Sequence, residues 1–206
     1  MSATSLADVA SARMDDDAVL VDRVRGGDEG AFVELVNRYQ ARLLRAAQAI
    51  VGSRAVAEEV VQDTWLAVVR GIDRFEGRSS FKTWLFRVTV NRARSTVGRE
   101  QRAGRPEEDV ELRFDATGAW AQPPVAWADR VEDRIVAAQV AQRVQAFLPD
   151  LPEAQRQVVV LRDIELLEAG DVASMLGISD GNQRVLLHRG RTRLRGLLAA
   201  EMGDVR

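Results

Sequence analysis

The run Gly170-Asp-Val-Ala-Ser-Met-Leu-Gly-Ile-Ser-Asp-Gly-Asn-Gln-Arg-Val-Leu-Leu-His-Arg189 sets the fold of its half of the chain. Its spacing predicts a short helix around Asp171 to Leu176, a tight turn at Gly177, and a last helix from Asp180 to about Ala200. Val172, Leu176 and Ile178 are placed to form a small core, and a glycine at 177 makes a positive φ cheap. This is the pattern of a helix-turn-helix. Wrapped at about 100° per residue, the last helix puts Leu186, Leu187, Leu194, Leu197 and Leu198 on one side. Arg184, His188, Arg191 and Arg195 fall nearly in line on another, with Arg189 off that line. A basic stripe opposite a packing face suits a major groove, where arginine reads guanine edges or anchors phosphates. A plain helical hairpin with its arginines in solvent is the alternative.

A second basic run lies far upstream. From Phe81 to Arg105 seven bases (Lys82, Arg87, Arg92, Arg94, Arg99, Arg102, Arg105) stand against one acid, Glu100; from Gly181 to Leu198 there are five bases and no acid. The whole chain carries −2, so with +6 and +5 in these runs the remainder carries −13. Two segregated basic surfaces imply contact with a polyanion, and acidic faces that meet something else.

Outward from these runs, helical periodicity is nearly continuous and strand signals are almost absent, so the expected fold is all-α. Val19 to Arg25 reads as a short helix closed by Gly26 and Gly27. Asp28 caps the next, which runs to about Ile50 with Phe32, Leu35, Val36, Tyr39, Leu43 and Leu44 as its stripe; Gly52 ends it. Ser53 caps a third helix through about Arg70, with Val56, Val60, Val61, Thr64, Leu66 and Val68 as its apolar positions. After the loop from Gly71 to Ser79, Ser80 caps a fourth helix to about Arg102. Residues 15–102 thus form one four-helix unit. Residues 103–127, with Gly104, Pro106, Gly118, Pro123 and Pro124 and an excess of acids, read as a flexible linker; Trp120 and Trp127 are unusual in a spacer. Residues 128–200 form the second unit, with a helix from Asp129 to Phe147, a turn at Pro149–Pro152, and a helix with Pro152 in its first position running to about Asp163.

On the fourth helix, Phe81, Trp84, Leu85 and Val88 make one apolar side and Phe86, Val90, Ala93 and Val97 a second. Between them runs a polar line: Thr83, Arg87, Asn91, Arg94. A loop with Phe75, Gly77, Arg78, Ser79 and Ser80 precedes it. Aromatics beside arginines and small hydroxyls suit unstacked bases, since stacking contributes about 1–3 kcal/mol per base, comparable with the cost of flipping one out. By spacing alone Phe75 and Trp84 fit a core as well.

Function classes are bounded by what is missing. The 206 residues include no cysteine, which excludes disulfides, thiolate metal sites and cysteine nucleophiles. His188 is the lone histidine and has no nearby acids, so neither a metal site nor an enzyme is expected, and no cofactor is implied. Asp15, Asp16 and Asp17 read as an acidic helix cap and tail. No apolar run approaches the ~20 residues that span a bilayer. The first residues lack a basic segment followed by an apolar core, so a cytoplasmic protein without membrane insertion is expected.

The run Phe75-Glu-Gly-Arg-Ser-Ser-Phe-Lys-Thr-Trp-Leu-Phe-Arg-Val-Thr-Val-Asn-Arg-Ala-Arg94 resembles region 2 of extracytoplasmic-function (ECF) sigma factors, as does Ala57-Glu-Glu-Val-Val-Gln-Asp-Thr-Trp65. Leu151-Pro-Glu-Ala-Gln-Arg-Gln-Val-Val-Val-Leu-Arg-Asp163 and the helix-turn-helix after it resemble region 4. The resemblance implies a dissociable specificity subunit of bacterial RNA polymerase. By position it implies that Glu59, Gln62 and Asp63 face the polymerase clamp. It assigns capture of the non-template strand of the −10 element to Arg78, Ser79, Ser80, Lys82, Thr83, Asn91 and Arg94. Reading of the −35 duplex falls to Arg184, Val185, His188 and Arg189, on a region 4 that docks on the polymerase flap. It also implies an anti-sigma factor as a partner. Departures from the family pattern are Asn182-Gln183 in place of a Thr-Val pair, Gly190 in place of alanine, Leu166 in place of glycine, and Glu168, Ala169 and Gly170 at the start of the short helix. The alternative is a stand-alone helix-turn-helix regulator whose N-terminal bundle senses a ligand or dimerises.

Overall fold

A computed structural model describes residues 6–104 and 143–203. Among the described residues every regular element is helical, as the periodicity requires. The N-terminal unit holds α1 (Leu6–Arg25), α2 (Glu29–Val51), α3 (Arg54–Gly71), a 3-10 turn (Ile72–Arg74) and α4 (Phe81–Gly104). The C-terminal unit has helical residues 143–147, a 3-10 turn (Leu148–Asp150), α5 (Glu153–Val159) running into a π-turn (Val160–Ile164), α6 (Ala169–Leu176) and α7 (Asp180–Gly203). Most of the expected linker, Trp120 and Trp127, and most of the expected Asp129–Phe147 helix lie outside the described residues.

Local chemistry explains most boundaries. The Ala31 amide donates to the Asp28 carboxylate at 3.1 Å, closing the N-terminus of α2. That bond, with Arg23 beside it, holds the Asp28 carboxyl below its ordinary value. Gly52 ends α2 at φ 75° with its amide on the Gln48 carbonyl. Ser80 caps α4, accepting from the Thr83 amide at 3.1 Å. Gly177 takes φ 66°, and the Ile178 amide reaches back to Ala173 at 3.0 Å, so α6 stops and the chain turns into α7.

Four expectations need correction. α1 begins well before Val19, and Asp16 and Asp17 lie inside it rather than in a tail. Asp17 is 5% exposed and accepts from Arg38 at 2.7 Å and from the Tyr39 hydroxyl, while Asp16 takes the other arm of Arg38 at 2.7 Å. Burial, then the Asp17 hydrogen bond, raises the Tyr39 phenol above its ordinary value. Ser53 holds the cap position of α3 but its side chain makes no capping bond. Pro152 precedes α5 as its cap rather than filling its first turn. Leu66, expected in the core, is 53% exposed, because it falls on the outer face of α3 between Asp63 and Arg70.

The two helical units also pack against each other. One buried apolar cluster runs from Leu35, Leu43, Phe86 and Val90 through to Leu151, Val158, Leu161 and Leu167. α2 is the shared wall: it packs on α1, α3 and α4 and, on its remaining side, on α5 and the π-turn.

Gly190 explains its own departure from alanine. It is buried where α7 crosses α5, and a Cβ there would lie 2.6 Å from Cγ2 of Val159, itself 1% exposed. Alanine would gain about 1 kcal/mol of helix propensity but overpack a β-branched neighbour, costing about 1–3 kcal/mol. Gly190→Ala is expected to lower the thermal midpoint. In a double-mutant cycle with Val159→Ala, the pair is expected to lose less than the sum of the single changes; additive losses would mean that the crossing relaxes without cost.

Candidate nucleic-acid interface

The loop before α4 is held from below. Arg25 donates to the carbonyls of Ile72, at 3.3 Å, and Phe75. Phe75, Phe81 and Trp84 form a ring cluster with centroids 5.4–5.8 Å apart, and Tyr39 meets Phe81 edge-on at 5.9 Å. Phe81 is buried, whereas Phe75 and Trp84 are half-exposed. The two aromatics therefore pack and still present surface. Of the residues assigned to −10 capture, Arg78 is exposed beside Glu76, Ser79 is half-buried, and Asn91 is exposed. The Ser80 hydroxyl is committed to capping.

The other three meet the C-terminal unit. Lys82 Nζ donates to the Leu166 carbonyl at 3.3 Å, and Thr83 Oγ1 to Asp171 Oδ2 at 3.4 Å. Arg94 donates to the Met175 carbonyl at 2.8 Å, with its guanidinium 3.3 Å from where a Cβ on Gly177 would sit. Arg87, on the same line, reaches Asp171 Oδ1 at 3.2 Å. Burial, then the nearby Arg42 charge, pushes the Lys82 ammonium below its ordinary value. Thr83, Arg87 and Arg94 of the polar line on α4 thus meet α6 while Asn91 stays exposed, an outcome its sequence spacing did not reveal.

A buried ion cluster fixes this contact, and none of its members stood out in the sequence. Glu165 is fully buried, and its Oε2 accepts from Arg42 Nε at 2.8 Å. Its Oε1 accepts from Arg45 at 3.1 and 2.9 Å. Arg42 is itself held between ring faces, 5.3 Å from the Tyr39 centroid and 5.7 Å from that of Phe86. The π-turn aims the carboxylate. The Glu165 amide bonds Val160 and the Leu167 amide bonds Leu161, and Leu166 between them takes φ 53°. That positive φ accounts for the glycine expected at 166.

The residues expected to read the −35 duplex lie on α7. Arg184, Val185, His188 and Arg189 are all exposed on α7. Leu187 and Leu194 pack inward. Arg191, predicted on the basic stripe, is drawn off it by Asp163, with contacts of 2.8 and 2.5 Å that raise its already high pKa. On α3, Glu59, Gln62 and Asp63 are exposed while Val60 and Val61 are buried. Asp63, Leu66, Ala67, Arg70, Arg74 and Arg92 line a shallow hollow, which adds the exposed Leu66 to this face. Among the described residues no group of His, Asp and Glu could hold a metal, and no helix is long and apolar enough to cross a membrane.

With that geometry in place, similarity to known proteins is informative. Residues 35–103 match Sigma-70 region 2, and residues 141–194 match Sigma-70, region 4. The chain is 32% identical over 175 residues to the ECF RNA polymerase sigma-E factor of Haemophilus influenzae, covering 85% of this chain and 91% of that one. It is 31% identical over 179 residues to the sigma-E factor of Escherichia coli, covering 85% and 90%. Among solved structures, CnrH in complex with the cytosolic domain of CnrY is similar with a TM-score of 0.53 and 26% identity, over 89% of this chain and 97% of that one. The sigma factor RpoE of Bartonella quintana, in complex with the anti-sigma factor NepR, shares the fold with a TM-score of 0.53 and 24% identity, over 81% and 97%.

Leu166 is 71% exposed, so its side chain contributes little packing to offset its backbone strain. A non-glycine residue in the left-handed region costs about 1–2 kcal/mol, while glycine adds about 0.5–1 kcal/mol of chain entropy to lose. Leu166→Gly is expected to raise the thermal midpoint slightly, with far-UV circular dichroism unchanged. A clear fall would show that the leucine side chain has a packing role.

Proposed function

The chain belongs to the ECF branch of the sigma-70-like sigma factors, and from that premise we propose how its two surfaces divide the work of promoter recognition. It is a subunit that directs core RNA polymerase to promoters and starts transcription. We assign polymerase-clamp binding and −10 capture to residues 15–102, −35 reading and flap docking to residues 128–200, and the connection to residues 103–127. It acts as a binding subunit rather than an enzyme, and works in the cytoplasm where the polymerase is.

The observation that carries the division is the character of the two basic surfaces. Arg184, Val185, His188 and Arg189 make an exposed, convex helix face suited to a duplex groove. The α4 line lies beside half-exposed Phe75 and Trp84, and such aromatics next to polar and basic side chains suit splayed single-stranded bases rather than a duplex. Arg78, Ser79, Ser80, Lys82, Thr83, Asn91 and Arg94 are the proposed −10 set. Neither surface alone supplies enough contact, so the polymerase that binds Glu59, Gln62 and Asp63 fixes their separation and supplies the effective concentration. An anti-sigma factor is the proposed regulatory partner.

Run-off transcription with purified core polymerase on a promoter library is the direct test, and promoter-dependent initiation is expected. Tight sequence-specific binding by the free protein with no stimulation of polymerase would favour the stand-alone regulator. Charge reversal at Asp63, exposed and 3.9 Å from Arg92, should weaken co-precipitation of core polymerase while leaving the fold intact; wild-type binding by a folded Asp63→Arg variant would remove α3 from the interface.

Arg184→Ala or Arg189→Ala should cost about 1–3 kcal/mol if the side chain holds a guanine edge, and only on templates with a −35 element. Arg191→Ala should change promoter affinity far less, because Asp163 already holds that side chain. Equal losses for all three would mean that charge alone, not base reading, sets −35 affinity.

A further inference from the structure

We propose that Arg191 is a withheld phosphate ligand, and that Asp163 sets how tightly the α7 face grips duplex DNA. Which face meets the duplex rests on the −35 reading above; the ion pair that withholds Arg191 does not. Arg191 lies two turns beyond Arg184 on α7, about 20° from it around the axis, so it shares the stripe of Arg184 and Arg195. Among the described residues neither of those two makes an ion pair, whereas both carboxylate oxygens of Asp163 go to Arg191. Nε donates to Oδ2 at 2.8 Å and Nη2 to Oδ1 at 2.5 Å. Nε and one terminal nitrogen form a fork with which arginine grips two oxygens of a phosphate. The carboxylate therefore occupies the donors that a DNA backbone needs, and one fork cannot serve both.

The restraint comes from a neighbouring element, since Asp163 sits in the π-turn after α5 and not on the recognition helix. Nor is the pair sealed away: the Arg191 side chain is 44% exposed and that of Asp163 29%. The fork can swing to another anion while buried Leu187 and Leu194 keep α7 in its seat. A phosphate contact carries no sequence information. Freeing Arg191 would raise affinity for every duplex alike, so Asp163 holds down the part of affinity that charge alone supplies and leaves discrimination to Arg184 and Arg189.

The test is a salt titration of reconstituted holoenzyme on two duplexes that stop short of the −10 element, one with the −35 element and one with it scrambled. Asp163→Asn should tighten binding to both by the same factor, up to about eightfold near ~0.1 M salt, and steepen log affinity against log salt by about 0.9. Asp163→Glu, which restores the carboxylate, should return toward wild type. In an Arg191→Ala background, Asp163→Asn should lose most of that gain; an equal gain there would mean that Asp163 merely repels DNA, and overturns the proposal. No gain in a folded Asp163→Asn overturns it as well. Arg191→Ala alone should leave the wild-type slope unchanged, and this arm stands even if an Asp163 variant misfolds. A slope shallower by about 0.9 would show that Arg191 already grips a phosphate, which also overturns the withholding. Arg184→Ala separates the two levels of failure. If it costs affinity on the −35 duplex and not on the scrambled one, the −35 reading stands and withholding alone is wrong. If it costs the same on both, or nothing, the −35 reading itself has failed.

Discussion

The arrangement of this molecule turns on a carboxylate that cannot reach water. Glu165 is fully buried, so this packing of the two units holds only where two guanidinium groups meet it. Arg42 and Arg45 lie one turn apart on α2, which places both on the same face. Such a pair adds little net stability, because desolvation offsets most of the attraction. What it fixes is register. Removing one partner costs about 3–5 kcal/mol when it strands a buried charge, so a docking shifted by one turn is strongly disfavoured. Burial of Leu151, Val158, Leu161 and Leu167 in the shared apolar cluster supplies the driving force, and the ion cluster decides where that packing lands.

This division recurs at smaller scale. The N-terminal unit is closed by ordinary burial of Leu35, Leu43, Leu85 and Phe86. A buried polar element, Asp17 with Tyr39 and Arg38, pins α1 to α2. In the helix-turn-helix, Gly190 permits a close crossing of α5 and α7. Gln183 is 1% exposed there, with an amide nitrogen that finds no partner. A valine, as in the family pattern, would avoid that cost of about 1–3 kcal/mol.

A sigma factor has to be specific without binding duplex DNA so tightly that it ignores the polymerase. In the proposed division of labour, two surfaces that are each insufficient alone would achieve this through effective concentration.

The sequence by itself determined most of the described helices, several of their caps, the turn at Gly177, and the outward placement of Arg184, His188, Asp63 and Asn91. These follow from periodicity and from short-range backbone chemistry, which act within a few residues and are written in order along the chain. It also marked Leu166 and Gly190 as departures, without their reasons. Only the tertiary structure decided that Leu66 faces out, that Arg191 turns to Asp163, and that Arg42 and Arg45 converge on Glu165. It alone showed α6 meeting Thr83, Arg87 and Arg94 of α4. Those outcomes depend on pairs separated by tens to more than a hundred residues in sequence. No periodicity encodes such a pairing; it is chosen by which apolar surfaces remain uncovered once the local elements have formed, and by which buried charge must then find a partner.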